Sequence, residues 1–221
     1  MTGRRQSLPA LRDGRGRVRR GLFLVLEGID GAGTTTQAAA LDKALRARGQ
    51  RTAVTAEPSG GPVGMLLRQA LSGRLRGHGQ AMDATTLALL FAADRADHVA
   101  QEIMPALNAG TTVISDRYVL SSIAYQGLEL EFPDVTAMNA HAPAPDLTLF
   151  LDVPPSVAQK RRAAVRGREE LYDALKLQRR IDRNYRRAIA HGLHGGRVVM
   201  IDGTLPEGLV TAELLSAIDT L

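Results

Sequence analysis

The chain has no cysteine, no tryptophan, and only three lysines, Lys43, Lys160 and Lys176. The missing cysteine excludes disulfides, thiolate metal sites and cysteine nucleophiles together. Aromatic residues amount to 4%, so a core must be assembled from Ala, Leu, Val and Ile. No apolar run approaches the roughly 20 residues that span a bilayer, and the N-terminus lacks the apolar stretch of a secretory signal. The expectation is a cytoplasmic protein without a membrane partner. Its 221 residues suit one well-buried domain.

Positive charge is concentrated at one end. Residues 1–20 carry Arg4, Arg5, Arg12, Arg15, Arg17, Arg19 and Arg20 against Asp13 alone. That balance of about +6 exceeds the net charge of +5 and leaves about −1 for everything downstream. Rich in Gly and Arg and without an apolar period, the segment reads as a disordered basic tail. The remainder is nearly neutral, so a nucleic-acid partner is not expected. A weak electrostatic tether through the tail is the alternative.

From Gly21 onwards, strand and helix patterns alternate. Residues 22–26, 52–56, 112–115, 147–153 and 197–201 read as strands, the first a continuous apolar run suited to burial on both faces of a sheet. Residues 35–48 read as a helix closed by Gly49, and a short helix carries Met65, Leu66, Leu67, Ala70 and Leu71. Asp83 is a plausible N-cap for a long helical pattern towards residue 108, which Pro105 kinks or restarts. Residues 72–81 read as a flexible connection, 155–190 as a charged helical region, and 206–219 as a last helix. This order predicts an α/β fold: a parallel sheet of about five strands with helices on both faces, in a single domain over residues 21–221.

After the first strand come Glu27-Gly28-Ile29-Asp30-Gly31-Ala32-Gly33-Thr34-Thr35-Thr36-Gln37. Gly28, Gly33 and Thr35 fit the phosphate-loop pattern G-x-x-x-x-G-K-[ST], with Thr34 at the lysine position. Glycines let successive N–H groups curl around phosphate oxygens, and the following helix adds partial positive charge at its N-terminus. Gly28, Asp30, Gly31, Ala32, Gly33, Thr34, Thr35 and Thr36 are therefore the expected cradle for ATP, with the Thr35 hydroxyl offered to Mg²⁺. At position 34 a neutral hydroxyl replaces the point charge that a lysine places against the β- and γ-phosphates. Lys43 cannot replace it, lying about 13 Å of helical rise further on. Either arginines elsewhere take over, or the protein binds nucleotide and turns over slowly or not at all.

Five signatures in order resemble the thymidylate kinase family, a group of P-loop nucleoside monophosphate kinases, over nearly all of residues 21–221. They are the loop at Glu27–Gln37; Glu57-Pro58; Leu90-Phe91-Ala92-Ala93-Asp94-Arg95 with His98; Asp116-Arg117-Tyr118 followed by Ser121, Ser122, Ala124, Tyr125, Gln126 and Gly127; and Pro145-Asp146-Leu147-Thr148-Leu149 running into Leu151-Asp152-Val153. The resemblance implies transfer of the γ-phosphoryl group of ATP to dTMP, with Mg²⁺, in a homodimer. Glu57, Phe91, Arg95, Arg117, Ser122, Tyr125 and Gln126 are the implied acceptor contacts. In the family, the tyrosine matching Tyr125 lies where a 2′-hydroxyl would project, and the carboxylate matching Asp30 reaches the acceptor's sugar or phosphate.

The residues support this independently. Phe91 and Arg95 are four apart and share a helix face, where a ring can stack on a pyrimidine while a guanidinium donates to a carbonyl. A buried arginine without an anionic or carbonyl partner is costly, and the adjacent Asp94 does not face it, which favours a ligand over ordinary core. Asp116 ends a strand at the sheet edge where open α/β folds hold ligands; it suits Mg²⁺, and Arg117 suits the acceptor phosphate.

Residues from about 160 to 175 resemble the family's lid, with Arg161, Arg162, Arg166 and Arg168, then Glu170, Tyr172 and Asp173. Family members with glycine at the position of Gly31 supply their catalytic arginine from this lid. Arg166 and Arg168 are therefore the expected transition-state stabilisers beside Arg117 and Asp30, and Asp173 a further Mg²⁺ ligand. Thr34, Ala56, Ser59 and Leu171 depart from the family pattern. The alternatives are a weakened nucleotide-binding pseudokinase and a kinase for another deoxynucleoside monophosphate.

Overall fold

A computed structural model describes residues 20–76, 79–166, 171–193 and 196–221, without the side chains of 163–166 and 171–173. Strands β1 (Phe23–Glu27), β2 (Thr52–Ala56), β3 (Thr112–Asp116), β4 (Leu147–Asp152) and β5 (Val198–Asp202) form one sheet in the order β2-β3-β1-β4-β5. Every pairing is parallel. The five expected strands are all present, within about a residue at each end. β1 occupies the centre, which accounts for a strand with no polar face: all five of its residues are buried.

The helices are α1 (Thr34–Ala47), α2 (Pro62–Leu71), α3 (Ala84–His98), α4 (Met104–Asn108), α5 (Val119–Gln126), α6 (Phe132–Met138), α7 (Pro155–Arg166), α8 (Leu171–Ala190) and α9 (Glu207–Ile218). Alternation along β1 feeds two apolar clusters. Phe23 and Val25 meet Ile103 and Leu107 ahead of and within α4, while Leu24 and Leu26 share a larger cluster with Leu41 and Leu45 of α1 and Val210 of α9. Asp83 caps α3 as expected, accepting from the Thr86 N–H at 2.9 Å.

The long helical pattern does not stop at Pro105. A π-helical turn over Val99–Ile103 joins α3 to α4; proline has no N–H to return to an earlier carbonyl, and the wider turn absorbs that mismatch. α5 and α6 were not legible in the sequence. Leu120, Ser121, Ser122, Ile123 and Ala124 of α5 are all buried, so that helix has no solvent face to impose a period. Of the basic segment expected over residues 1–20, only Arg20 is among the described residues, paired with Asp146 at 2.9 Å. No helix of the described residues is long and apolar enough to cross a membrane.

Leu24 is fully buried in the central strand. Leu24→Ala should cost about 2–5 kcal/mol, read as a lower urea midpoint; a loss under about 1 kcal/mol would place β1 outside the core.

Candidate nucleotide site

Leu26 and Asp116 pair in register where β1 and β3 end, so both lead into loops on the same sheet edge. The loop after β1 turns through Gly31 (φ 91°) and Gly33 (φ 102°) into α1. Ala32 N–H closes a turn onto Ile29 O at 2.9 Å. Among the described residues, the N–H groups of Gly31, Gly33, Thr34, Thr35 and Thr36 make no hydrogen bond. Unpaired donors at a helix N-terminus form an anion cradle. A cleft of about 600 Å³ lies over them, lined also by Asp30, Arg117, Arg161 and Arg162.

Thr35 Oγ1 donates to Asp116 Oδ2 at 2.5 Å, and Asp116 Oδ1 is buried without a partner among the described residues. A hydroxyl and a carboxylate with an uncommitted oxygen, beside the phosphate cradle, fit a hard cation that arrives with a triphosphate. Arg168 and the side chains of Arg166 and Asp173 lie outside the described residues.

A second cleft of about 300 Å³ is lined by Asp30, Glu57, Phe91, Arg95, Arg117, Ser122, Tyr125 and Gln126. Every residue expected at the acceptor is therefore brought to one place. Pro58, Leu71, Tyr118 and Ser121 complete the lining; they lie outside the set of expected acceptor contacts, although Pro58, Tyr118 and Ser121 belong to the signatures that carry the resemblance. Asp30 and Arg117 line both clefts.

Arg95 corrects one step of the sequence reasoning. It is 1% exposed, yet it has internal partners: Glu57 Oε2 accepts from Nη2 at 2.6 Å and Nε at 2.9 Å. Tyr118 O and Ser122 Oγ accept at 3.1 and 3.0 Å, and Asn139 Oδ1 accepts from Nη1. Burial of Arg95 thus does not by itself demand a ligand. Glu57, on the loop after β2, supplies the anion that Asp94 could not; Asp94 instead accepts from Ser59 N–H and Oγ at 2.8 and 2.5 Å. Ser59, a departure from the family pattern, thus pins that loop to α3 a second time, beside the Glu57–Arg95 pair. The binding reading of Phe91 rests instead on its position, because it lines the cleft and belongs to neither core cluster.

Arg117 takes a left-handed backbone (φ 76°), fixed by its N–H to Leu26 O at 2.9 Å. Nη2 donates to Asp30 Oδ1 at 2.8 Å, and Nη1 to Ser121 Oγ at 3.2 Å and the Tyr185 hydroxyl at 3.3 Å. Its guanidinium sits 5.2 Å from the Tyr125 ring centroid, and the Tyr125 hydroxyl donates to Asp30 Oδ1 at 2.7 Å.

Beneath this network lies Glu27, fully buried. It accepts from Tyr118 N–H at 2.9 Å, Ser121 N–H at 3.0 Å, Ser121 Oγ at 2.5 Å and Tyr185 hydroxyl at 3.0 Å. Burial pushes its carboxyl up from 4.5 to about 7, although Ser121 and Arg117 pull the other way. In the sequence Glu27 stands only as the first residue of the loop motif; a single acid ending an unbroken apolar strand is the signal of its burial.

A phosphate loop between the central strand and α1, opening towards a separate acceptor cleft on the same sheet edge, defines a P-loop nucleoside monophosphate kinase. Comparison with known proteins narrows the class: the sequence profile described as Thymidylate kinase matches residues 26–214. A probable thymidylate kinase of Pyrobaculum calidifontis is 43% identical over 203 residues, covering 90% of this chain and 96% of that protein. One of Pyrococcus abyssi is 43% identical over 169 residues, 75% of this chain and 82% of its own. A thymidylate kinase of Thermomicrobium roseum is 40% identical over 195 residues, covering 85% and 90%. The chain belongs to the thymidylate kinase family.

Because folding raises the Glu27 carboxyl from 4.5 to about 7, its stabilising contribution is complete below pH 4.5 and lost as pH rises to about 7. Glu27→Gln keeps an acceptor for the two N–H groups and cannot ionise. Urea unfolding should show wild-type stability falling relative to this variant across that window and level outside it. A constant difference would contradict the burial of a titrating carboxyl.

Proposed function

We propose that the protein transfers the γ-phosphoryl group of ATP to dTMP, giving ADP and dTDP. The observation that carries this reading is the meeting of the two clefts at Asp30 and Arg117. An oxygen of the acceptor phosphate bonds to the γ-phosphorus as the bond to the β–γ bridging oxygen breaks. ADP leaves with that electron pair, and no proton needs to move. Such a reaction asks the protein mainly for alignment and compensation of charge.

The loop N–H groups hold the triphosphate, and Arg117 faces the acceptor phosphate. Thr35 and Asp116 would hold Mg²⁺, which neutralises phosphate charge when bound. Phe91 stacks on the pyrimidine. Four of the five Arg95 N–H groups already have acceptors, which leaves one at Nη1 for a base carbonyl. Ser122 and Gln126 contact the base, and among the described residues the Gln126 side-chain oxygen is buried without a partner. Tyr125 covers the sugar, favouring deoxyribose. A further cleft of about 200 Å³, lined by Gly33, Gln37, Arg161 and Gly203 among others, suits the donor base. Arg166 and Arg168 keep the lid role that the resemblance implies, and Asp173 that of a further Mg²⁺ ligand.

A homodimer is supported by the packed pair α2 and α3, which leaves Met65, Leu66 and Leu89 exposed. Sedimentation should give twice the 23.7 kDa chain mass; a monomer at micromolar concentration would remove that part of the reading.

ADP release should depend on dTMP, and dTMP should be turned over faster than dUMP, dCMP or dGMP. Loss of ring stacking in Phe91→Ala should raise KM for dTMP by about tenfold or more and leave KM for ATP unchanged. ATP hydrolysis indifferent to dTMP, or a better acceptor among the other three, would defeat the assignment.

A further inference from the structure

The position where the phosphate loop lacks its lysine is not empty of cations nearby. Thr34 is 6% exposed, and among the described residues its hydroxyl makes no hydrogen bond. The cleft it lines is shared by Arg117, Arg161 and Arg162, and by no lysine.

The three arginines differ in their commitments. Arg117 is held by Asp30, Ser121 and Tyr185 on the acceptor side. Arg161 donates to two main-chain carbonyls, Ala32 O at 3.3 Å and Gly203 O at 3.0 Å, so it ties α7 to the loop and to the end of β5. The Arg162 side chain makes no hydrogen bond among the described residues. Its one ion pair there is to Asp30 Oδ2 at 3.8 Å, a separation at which a partly exposed pair is weak.

The stem of Arg162 lies directly on the loop. A Cβ added at Gly31 would come 2.5 Å from Ala158 O and 2.9 Å from Arg162 Cγ. Gly31 has φ 91° and no side chain, so α7 can approach until the Arg162 guanidinium shares a cleft with Thr34 and the free loop N–H groups. A cation with a weak partner, beside the triphosphate cradle, is available to exchange Asp30 for a doubly anionic phosphate.

We propose that Arg162 replaces the phosphate-loop lysine lost at Thr34, moving from Asp30 onto the β- and γ-phosphates of the bound triphosphate. The chemistry remains the transfer written above, and Arg162 neutralises the oxygens that gain charge during it. This assignment rests on the phosphoryl-transfer reading of the cleft, but not on the identity of the acceptor. On this reading the charge missing at Thr34 is moved to a neighbouring helix rather than abandoned.

The experiment is a double-mutant cycle with dTMP-dependent ADP release and calorimetry on the full chain. Arg162→Gln should lower kcat about 100-fold or more, and Arg162→Lys less. In a Thr34→Lys background the same Arg162→Gln change should cost less than about tenfold, because the restored lysine takes the load. Equal losses in both backgrounds, or Arg162→Gln within about threefold of wild type, would overturn the proposal. If Arg162→Gln melts early, Arg162→Lys and the Thr34→Lys/Arg162→Gln pair carry the comparison. Independently of turnover, Arg162→Gln should weaken a non-hydrolysable ATP analogue at least about tenfold more than ADP; equal weakening counts against it. Wild type that releases no ADP with dTMP would refute the acceptor assignment, while the calorimetric comparison still decides the role of Arg162.

Discussion

The Asp30 carboxylate is the contact on which the rest of the site depends. It accepts from Arg117 at 2.8 Å and from the Tyr125 hydroxyl at 2.7 Å, and it lines both clefts. A hydrogen bond to a charged group contributes on the order of 1.5–3 kcal/mol, enough to hold a guanidinium in one place but not to lock it. The anchor extends downwards through Ser121 and Tyr185 to the buried Glu27 at the end of the central strand. Sheet, loop, α5 and α8 are thereby tied to the spot where donor and acceptor meet, and the geometry of transfer is inherited from the core.

The sheet was readable because a central parallel strand has a plain sequence signature. Residues 22–26 are apolar without alternation, and β1 is buried throughout. The residues that line the two clefts were named for a different reason: Gly31 and Gly33 stand in the phosphate-loop motif, Phe91 shares a helix face with Arg95, and Arg117 and Tyr125 belong to a motif that resembles the thymidylate kinase family. What escaped was whatever depends on contacts distant in sequence. Glu57 meets Arg95 across 38 positions, and Tyr185 meets Glu27 across 158; no local pattern records such partners. α5 escaped because a helix buried on nearly every side carries no amphipathic stripe.

Arg95 shows how a sound principle can lead to the wrong intermediate step. The cost of burying an unpaired guanidinium is real, but the partner came from the loop after β2 and not from a ligand. Glu57 and Arg95 instead form a preassembled wall, with Ser122 and Asn139 fixed to it, against which a base can be placed at little further ordering cost. The loop at Thr34 carries the complementary lesson. Main-chain N–H groups supply phosphate recognition whatever the side chain there, so a missing lysine changes how charge is balanced without removing the cradle.

A crystal structure with an adenosine–thymidine polyphosphate that spans both sites tests the account most directly. It should place the pyrimidine against Phe91, the donor phosphates on the N–H groups of Gly31–Thr35, and the bridging phosphates between Arg117 and Thr35, beside Asp30. A thymidine moiety bound away from Phe91, or phosphates that bypass the loop, would contradict the claim that the two clefts form one transfer site.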